Sequence, residues 1–312
     1  MSSRNYAVLG TGALGGYYGA RLHHAGFEVN FLLHSDFAHV RRHGLRVESK
    51  DGDFSIASPR AYGSAQDLPP CDVALVAVKT TNNDLLEGLL PPAVKAGGSV
   101  VMLQNGLGVE KQAAAVLPDH CVLGCLAFVC ANKVGPGHIC HLDYGAVRIA
   151  EYRADGSPAG CTERVRAVAD DFRAAGIEAS AEEDLEQARW LKLVWNVPFN
   201  GLCVLHGCKT DELLRDASAR DRCRALMMEV IAAAAACGRT INPGFIDAML
   251  TNTEAMTPYE PSMLLDFQKR RPLELEAIYA APLRAARDAG VECPLMEELY
   301  DELRAVDPAA SQ

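Results

Sequence analysis

The sequence predicts an α/β protein, in which a doubly wound parallel sheet domain is followed by an all-α C-terminal domain. Three observations support this prediction. Short apolar runs alternate with helical stretches over the first half of the 312 residues, which is typical of βαβ units. A glycine motif, GTGALG at residues 10–15, follows the first apolar run. Strand patterns stop near residue 181, and only helical patterns follow.

The strands of the first domain are predicted from continuously apolar runs, because parallel strands are buried on both faces. The predicted strands are Tyr6–Gly10, Glu28–Leu33, Asp72–Val78, Ser99–Leu103, Cys121–Phe128 and Ile177–Ala179. Predicted helices are Ala13–Ala25, one from Asn82 or Asn83, one from Asn105, and Cys161–Ala175. Short strands with Gly and Pro are predicted within Gly135–Ile149.

The second domain carries helical patterns only, so the predicted domains are residues 1–181 and 182–312. The predicted helices are Asp184–Asn200, Ser218–Cys237, Asn242–Thr253, Leu273–Ala289 and Pro294–Val306. Asn242 is a residue type that caps helix N-termini. Pro198 lacks the amide hydrogen of a regular helix, so it predicts a bend or break in the first of these helices.

Composition and charge argue against several classes of function. A formal net charge of −10 disfavours a general nucleic-acid or membrane-surface binder. No run approaches the roughly 20 apolar residues of a membrane span, and MSSRNYAVLG lacks the apolar segment of a signal peptide. The eleven cysteines are scattered, without a CxxC pair. This spacing indicates reduced thiols, a cytoplasmic location and no metal site.

The glycine motif predicts a dinucleotide site. The first glycine permits a tight turn, the second leaves room for a pyrophosphate, and the third allows the helix to approach the strand. The free N–H groups at the start of the helix favour phosphate. In this strand–loop–helix context the motif predicts a Rossmann-type cofactor loop. Its residues are Gly10, Thr11, Gly12, Ala13, Leu14 and Gly15.

The end of the second strand indicates which dinucleotide is bound. NAD-binding versions carry Asp or Glu there to bind the ribose 2′-hydroxyl. Here the strand ends at His34-Ser35-Asp36, and Arg41 and Arg42 follow. His34 and Ser35 suit a 2′-phosphate, so this region favours NADP(H), while Asp36 keeps NAD(H) as the alternative.

The segment ARWLKLVWNVPFN, residues 188–200, places three polar side chains on one face of a helix. Lys192, Asn196 and Asn200 are spaced four residues apart and therefore stack along that face. One interpretation is a surface lysine whose ammonium extends to water. The other is an ammonium kept inside for chemistry, on a helix that borders a cleft. The apolar residues around Lys192 favour the second.

Five segments of the sequence are LGTGALGG, VAVKTTNN with Lys79, QNGLGVE with Asn105, WLKLVWNVPFN, and PSMLLDFQKRRPLELE with Ser262 and Glu274. Together they resemble the ketopantoate reductase (2-dehydropantoate 2-reductase) family. They occur in the family order over residues 9–276, so the resemblance covers nearly the whole chain.

The resemblance implies a catalytic pair. Lys192 would be the general acid that protonates the forming alkoxide, and Glu274 would hold the substrate and orient that lysine. Elementary chemistry agrees, because hydride addition to a ketone leaves negative charge on oxygen. Burial lowers the pKa of a lysine whereas a nearby glutamate raises it, and the sequence leaves open which effect is larger. The alternative for Glu274 is a solvated charge in the acidic stretch LELEAIY.

The resemblance also implies substrate and cofactor contacts. Asn196 and Asn200 would bind the hydroxyl and keto oxygens, and Ser262 the carboxylate. Asn105 and Lys79 would lie at the nicotinamide end. Without the resemblance, Ser262 and Asn105 could equally be helix caps, and Lys79 an ordinary lysine at a strand end, although ligands do bind at the carboxyl ends of parallel strands.

Two of the positions that depart from the family pattern concern specificity. His34 stands where the family often has an arginine that binds the 2′-phosphate, and this weakens the preference for NADP. Thr210 stands where some members carry a substrate-contacting asparagine. Both departures concern specificity and leave the proposed hydride-transfer residues in place.

The predicted function is NADP(H)-dependent reduction of 2-dehydropantoate (ketopantoate) to pantoate, an oxidoreductase step on the route to pantothenate and coenzyme A. The alternatives are a reductase of another small 2-oxo acid and a non-catalytic module that senses NADP(H). The expected partner is a small 2-oxo acid, with no nucleic acid or membrane. The oligomeric state stays open, with a homodimer among the options.

Overall fold

A computed structural model describes residues 4–311, which divide into two compact units. Residues 4–104 and 109–185 form the first unit, and residues 105–108 and 186–311 form the second. The predicted boundary at residue 181 lies four residues earlier, and no sequence signal separated the loop 105–108. That loop belongs to the second unit because the side chain of Leu107 is buried in its apolar cluster.

The first unit is built on a ten-stranded sheet. Its strands are β1 (Asn5–Leu9), β2 (Glu28–Leu32), β3 (Leu45–Ser49), β4 (Phe54–Ile56), β5 (Arg60–Tyr62), β6 (Cys71–Val76), β7 (Val94–Met102), β8 (Cys121–Gly135), β9 (His138–Glu151) and β10 (Ala179–Ala181). The order β5-β2-β1-β6-β7-β8 is entirely parallel and matches the Rossmann order. The carboxyl ends of β1, β2 and β6 therefore lie at one edge of the sheet.

The rest of the sheet differs from a simple parallel arrangement. Strand β8 continues past the predicted end at Phe128 and pairs antiparallel with β9. The predicted short strands of Gly135–Ile149 are thus half of one long hairpin. Strands β3, β4 and β5 were not predicted, because their runs are short and partly exposed. The last strand begins two residues after the predicted one.

Three helices of the first unit begin later than predicted, one of them by only two residues. They are α1 (Ala13–His24), α2 (Phe37–His43), α3 (Leu86–Ala93), α4 (Val109–Val116) and α5 (Glu163–Ala174). The helix predicted from Asn82 or Asn83 begins as a 3₁₀ turn over Thr80–Leu85. The helix predicted from Asn105 begins only at Val109, because residues 105–108 form a loop with two glycines at positive φ.

The second unit is helical throughout its described length. Its helices are α6 (Leu185–His206), α7 (Thr210–Arg215), α8 (Ala217–Ala236), α9 (Gly244–Ala255), α10 (Ser262–Gln268), a π-helical turn (Glu276–Ala280), α11 (Ala281–Asp288) and α12 (Pro294–Val306). Asn242 accepts a hydrogen bond from the Gly244 amide, 2.9 Å, just before α9. Helices α7 and α10 were not predicted, because each is short.

Helix α6 runs through Pro198 without a break, so of the predicted bend or break the break was wrong. A proline in a helix costs about 3 kcal/mol, since one hydrogen bond is lost and the ring crowds the preceding turn. The flanking Val197 and Phe199 are fully buried in the apolar cluster of the second unit. Packing on this scale outweighs that cost.

The cysteines and the helices also bear on other classes of protein, namely disulfide-bonded, metal-binding and membrane-spanning proteins. All eleven cysteines are free thiols. Within residues 4–311 no group of three His, Cys, Asp or Glu side chains is placed to hold a metal ion. None of the helices in that range combines the length and apolar character that a membrane crossing needs.

Candidate active site

The three glycines of the cofactor loop meet different physical demands. Gly10 has φ +97°, and a Cβ there would lie 2.8 Å from the Val78 amide nitrogen. A Cβ on Gly15 would lie 2.2 Å from the Gly10 carbonyl oxygen. A Cβ on Gly12 would meet no described atom within 4 Å. The fold itself requires Gly10 and Gly15, whereas the space above Gly12 is free for a ligand.

The loop leads into the start of α1, which presents N–H groups for an anion. The Thr11 hydroxyl donates to the Leu32 carbonyl at 2.9 Å, and this hydrogen bond links the loop to β2. Gly12 is the N-cap, and neither a side-chain cap nor an acidic residue occurs in the first turn, which begins Ala13-Leu14. The N–H groups and the positive end of the helix dipole therefore suit a pyrophosphate.

Asp36, the possible ribose ligand at the end of β2, is held by the β8–β9 hairpin instead. Its carboxylate lies 2.5 Å from the Lys133 ammonium and accepts from the Gly137 amide at 2.9 Å. Burial by itself would raise the pKa of Asp36, but these hydrogen bonds outweigh it and lower the pKa below its usual value. Asp36 is 7 % exposed, so it serves the fold.

The other groups at this strand end face water. His34 and Ser35 are exposed, and so are Arg41 and Arg42 on the neighbouring helix α2. Helix α2 has only basic residues in its last turn. The accessible side chains at the end of β2 are therefore neutral or basic, as a 2′-phosphate would need.

Lys79 lies just after β6, on the same sheet edge as the glycine loop. It is half-buried and is the N-cap of the 3₁₀ turn that follows. Gln104 stabilises this segment from the end of β7, because its side-chain amide donates to the Val78 carbonyl at 2.8 Å and to Asn83 Oδ1 at 2.6 Å. Gln104 was not among the predicted site residues, although it directly precedes Asn105.

The three polar residues of α6 are all buried. Lys192 is 9 % exposed, Asn196 4 % and Asn200 2 %. A lysine that extended to water would keep its ammonium exposed, so burial excludes the surface interpretation. Trp195, on the same helix, donates from its indole to the Thr253 hydroxyl at 3.1 Å and is only partly buried.

Asn196 carries an unused donor. Its Nδ2 atom is buried and has no hydrogen-bond partner among the described residues. An unsatisfied buried donor costs about 1–3 kcal/mol, and such groups in native proteins call for an explanation. A ligand oxygen bound beside α6 would satisfy this amide.

Glu274 is buried as well, at 5 % exposed. It directly precedes the turn that leads into α11. Its neighbour Glu276 is exposed and pairs with Arg284, which is how a solvated glutamate behaves. The two glutamates of LELE thus have opposite environments, which the acidic pattern alone could not distinguish.

Ser262 and Asn105 do not have the capping roles that were the alternatives. Ser262 is the first residue of α10, after the N-cap Pro261, and is half-buried. Asn105 lies in the loop of residues 105–108, four residues before α4. The Leu107 amide in that loop donates to the Ala277 carbonyl at 2.9 Å.

The structure therefore divides the predicted residues between the two units. The second unit contains Asn105, Lys192, Asn196, Asn200, Ser262 and Glu274. The first contains the glycine loop, His34, Ser35 and Lys79. The residues assigned to substrate thus share one unit, and those assigned to the dinucleotide share the other, apart from Asn105.

Comparisons with known proteins decide the family. The family model "Ketopantoate reductase PanE/ApbA" matches residues 6–154, and its C-terminal companion matches residues 184–307. The chain belongs to the ketopantoate reductase family. It is therefore an oxidoreductase that uses a nicotinamide dinucleotide, and the predicted family, fold class and enzyme class are confirmed.

Individual relatives agree with this membership. A 2-dehydropantoate 2-reductase from Nostoc sp. is 50 % identical over 98 % of this chain and 96 % of its own length. The crystal structure of 2-dehydropantoate 2-reductase from Geobacter metallireducens has a TM-score of 0.92 at 38 % identity, covering 96 % of this chain and 99 % of its own. A D-mandelate dehydrogenase in complex with NADH and anilino(oxo)acetate shares the fold, with a TM-score of 0.86, at 20 % identity over 99 % of this chain and 100 % of its own.

Proposed function

We propose that the chain reduces 2-dehydropantoate to pantoate with NADPH, on the route to pantothenate and coenzyme A. The observation that carries the proposal is the buried Lys192 on α6, in line with two buried asparagines. The relative from Nostoc sp., whose sequence is 50 % identical to this chain, is named 2-dehydropantoate 2-reductase. A nucleotide-sensing module would have no use for a buried lysine and a buried glutamate in its helical unit.

Lys192 is the general acid of the proposed reaction. Hydride addition leaves negative charge on the former carbonyl oxygen, and a buried ammonium both stabilises that charge and supplies the proton. Glu274 binds the substrate and orients the lysine. The two residues are buried in the same unit, where water screens their charges less than at the surface.

The remaining polar groups bind the substrate. Asn196 and Asn200 donate to its hydroxyl and keto oxygens, and the unused Nδ2 donor of Asn196 supports this role. Ser262 binds the carboxylate, Asn105 contributes to binding of the substrate and of the nicotinamide, and Lys79 contributes to binding of the cofactor. These side chains fix the orientation of a small acid that carries several oxygens.

The glycine loop and the start of α1 hold the dinucleotide, which supplies the hydride when bound. The space above Gly12 and the uncapped first turn fit a pyrophosphate. We assign NADPH rather than NADH because Asp36, the acid at the end of β2, is already bound by Lys133 and Gly137. His34 and Ser35 then bind the 2′-phosphate.

The substrate assignment is tested by steady-state rates with NADPH over a panel of 2-oxo acids. We expect the highest kcat/KM for 2-dehydropantoate. Activity on other acids without activity on 2-dehydropantoate would replace this proposal with a different reductase. Tight NADPH binding without turnover of any acid would support the sensing module.

The role of Lys192 is tested by Lys192→Ala, with the exposed Lys269→Ala of the same unit as its matched control. We expect kcat to fall by at least about 100-fold, in line with loss of a general acid, with NADPH affinity nearly unchanged. Lys269→Ala should retain the wild-type kcat. An unchanged kcat in Lys192→Ala would refute the assignment.

The cofactor assignment is tested by the ratio of kcat/KM with NADPH to that with NADH. We expect the wild-type chain to prefer NADPH, and His34→Arg to raise the ratio because a guanidinium binds phosphate bidentately. A ratio that His34→Arg leaves unchanged would mean that other residues bind the 2′-phosphate.

The homodimer and the cytoplasmic location remain predictions. Sedimentation of the purified chain would test the first of them.

A further inference from the structure

The turn that follows Glu274 has an unusual hydrogen-bond register. Residues Glu276–Ala280 form a π-helical turn, and the Ala281 amide donates to the Glu276 carbonyl five residues earlier. Such turns are rare and occur frequently at functional sites. In a regular α-helix the Ala281 amide would have bonded Ala277 instead. Because of this register, the Ala277 carbonyl does not receive the hydrogen bond from Ala281 that an α-helix would give it.

Pro282 removes the second amide that could donate to the Ala277 carbonyl. In the π register the Ala277 carbonyl would accept from residue 282, but proline has no amide hydrogen. The Ala277 carbonyl is thus free of both helical donors, for a reason that is written in the sequence. The Leu107 amide takes their place at 2.9 Å. This bond joins the loop that contains Asn105 to the turn that follows Glu274.

Gly106 makes this contact possible. Its φ is +97°, and a Cβ there would lie 2.4 Å from the Ala277 carbonyl oxygen and 2.5 Å from its carbonyl carbon. Only glycine tolerates both the backbone conformation and the approach. Next to it, the side chain of Leu107 is 9 % exposed in the apolar cluster. The loop is therefore seated closely on the π turn.

The same turn also binds α6. The Tyr279 hydroxyl donates to the Val197 carbonyl at 2.9 Å, between the turns that carry Asn196 and Asn200. A Cβ on Gly201 would lie 2.7 Å from the Tyr279 oxygen, so this glycine makes room for the phenol. Tyr279 is fully buried, and burial raises its pKa well above the usual value. It therefore stays a neutral donor.

We propose that the π turn Glu276–Ala280, kept in register by Pro282, is a positioning device for the active site. Through Ala277 it holds the Asn105 loop, and through Tyr279 it holds α6 with Lys192, Asn196 and Asn200. Both contacts originate within six residues of Glu274. Tyr279 and Pro282 are positioning residues, since they act through backbone contacts. The inference rests on the roles proposed above for Lys192, Asn105 and Glu274.

The kinetic test uses Tyr279→Phe and Pro282→Ala in the full-length chain. Tyr279→Phe deletes one hydrogen bond, and Pro282→Ala restores an amide that competes for the Ala277 carbonyl. We expect kcat with 2-dehydropantoate to fall about tenfold or more in each variant, because small displacements of catalytic groups are costly. The KM for NADPH should change less than kcat, since the glycine loop belongs to the other unit and this device reaches the proposed cofactor contacts only through Asn105.

Matched controls separate positioning from general destabilisation. Tyr300→Phe changes the tyrosine whose ring stacks on Tyr279 at 6.5 Å, and Pro294→Ala changes an exposed proline in the first turn of α12. Both should retain the wild-type kcat. Wild-type kcat and KM in both Tyr279→Phe and Pro282→Ala would overturn the proposal while the proposed function stands.

Hydrogen–deuterium exchange gives a readout that needs no activity. In Pro282→Ala we expect the Leu107 amide to exchange about fivefold faster or more, in line with loss of one hydrogen bond, and to accelerate more than the other amides of the second unit. Unchanged exchange at Leu107 would overturn the coupling between the loop and the π turn. Lack of activity of the wild-type chain on 2-dehydropantoate would instead overturn the proposed function. The exchange rate of the Leu107 amide would still test the coupling between the loop and the π turn in that case.

Discussion

Replacing each of two glycines in the cofactor loop by alanine separates ligand binding from folding. Gly12→Ala places a methyl group where no described atom lies within 4 Å. We therefore expect the ligand-free protein to keep its stability or gain about 0.4–1 kcal/mol, because alanine restricts the unfolded chain. The same methyl group fills the space proposed for the pyrophosphate, so the affinity for NADPH should fall.

The magnitudes follow from the geometry. Overpacking by one methyl group costs about 1–3 kcal/mol, which in Gly12→Ala weakens NADPH binding by about 5–150-fold. In Gly15→Ala the Cβ would lie 2.2 Å from the Gly10 carbonyl and 2.9 Å from Val8 Cγ1. The same 1–3 kcal/mol is then lost from folding, which lowers the melting temperature by about 2–12 °C.

The assays are thermal unfolding of the ligand-free protein and titration with NADPH followed by its fluorescence. Gly12→Ala should unfold like the wild type and bind NADPH weakly, whereas Gly15→Ala should unfold at a lower temperature. Wild-type NADPH affinity in Gly12→Ala would refute the placement of the pyrophosphate above residue 12. A melting temperature in Gly12→Ala as low as that of Gly15→Ala would refute the argument from open space.

Two further predictions concern stability. The pKa of Asp36 is lowered from 3.8 in the folded protein, so its ionised form stabilises the fold above about pH 3.8, and this stability is lost as the pH falls through the lower folded value. Asp36→Asn should therefore cost about 1–2 kcal/mol at pH 7, and urea unfolding should show the difference shrinking below pH 3.8; a constant difference would contradict the ion pair with Lys133. The Thr210 hydroxyl is fully buried without a hydrogen-bond partner among the described residues, so Thr210→Val should leave the free energy of unfolding unchanged or raise it. A loss above about 1 kcal/mol in the same assay would show that the hydroxyl has a partner, such as an ordered water.

Much of the site could be predicted because its signals are local. Within six residues, the glycine motif between β1 and α1 specifies a tight turn at Gly10, open space for a ligand at Gly12 and close packing of the helix on the strand at Gly15. The polar face of α6 follows from helical spacing alone. Apolar runs and helical periodicity likewise predicted most of the parallel strands and most helices, since each pattern reflects the burial of its own segment.

Other features depend on partners far away in the chain. Asp36 was an open candidate for ribose until its contact with Lys133, 97 positions later, was known. Glu274 and Glu276 look alike in the sequence, yet only the first is buried. Pro198 predicted a bend or a break by its local chemistry, but α6 continues through it without a break because both neighbouring side chains are buried. In each case the outcome depends on the surrounding residues.

The sequence by itself therefore determined the fold class, the cofactor loop and the helix that carries Lys192, because these depend on neighbours within a few turns of the chain. Only the tertiary structure decided which polar groups are buried, which acid is already paired, and that the Asn105 loop belongs with the helical unit. The physical reason is that desolvation and hydrogen-bond partners are set by contacts between distant segments. The Leu107 amide and the Ala277 carbonyl, 170 positions apart, show this most directly.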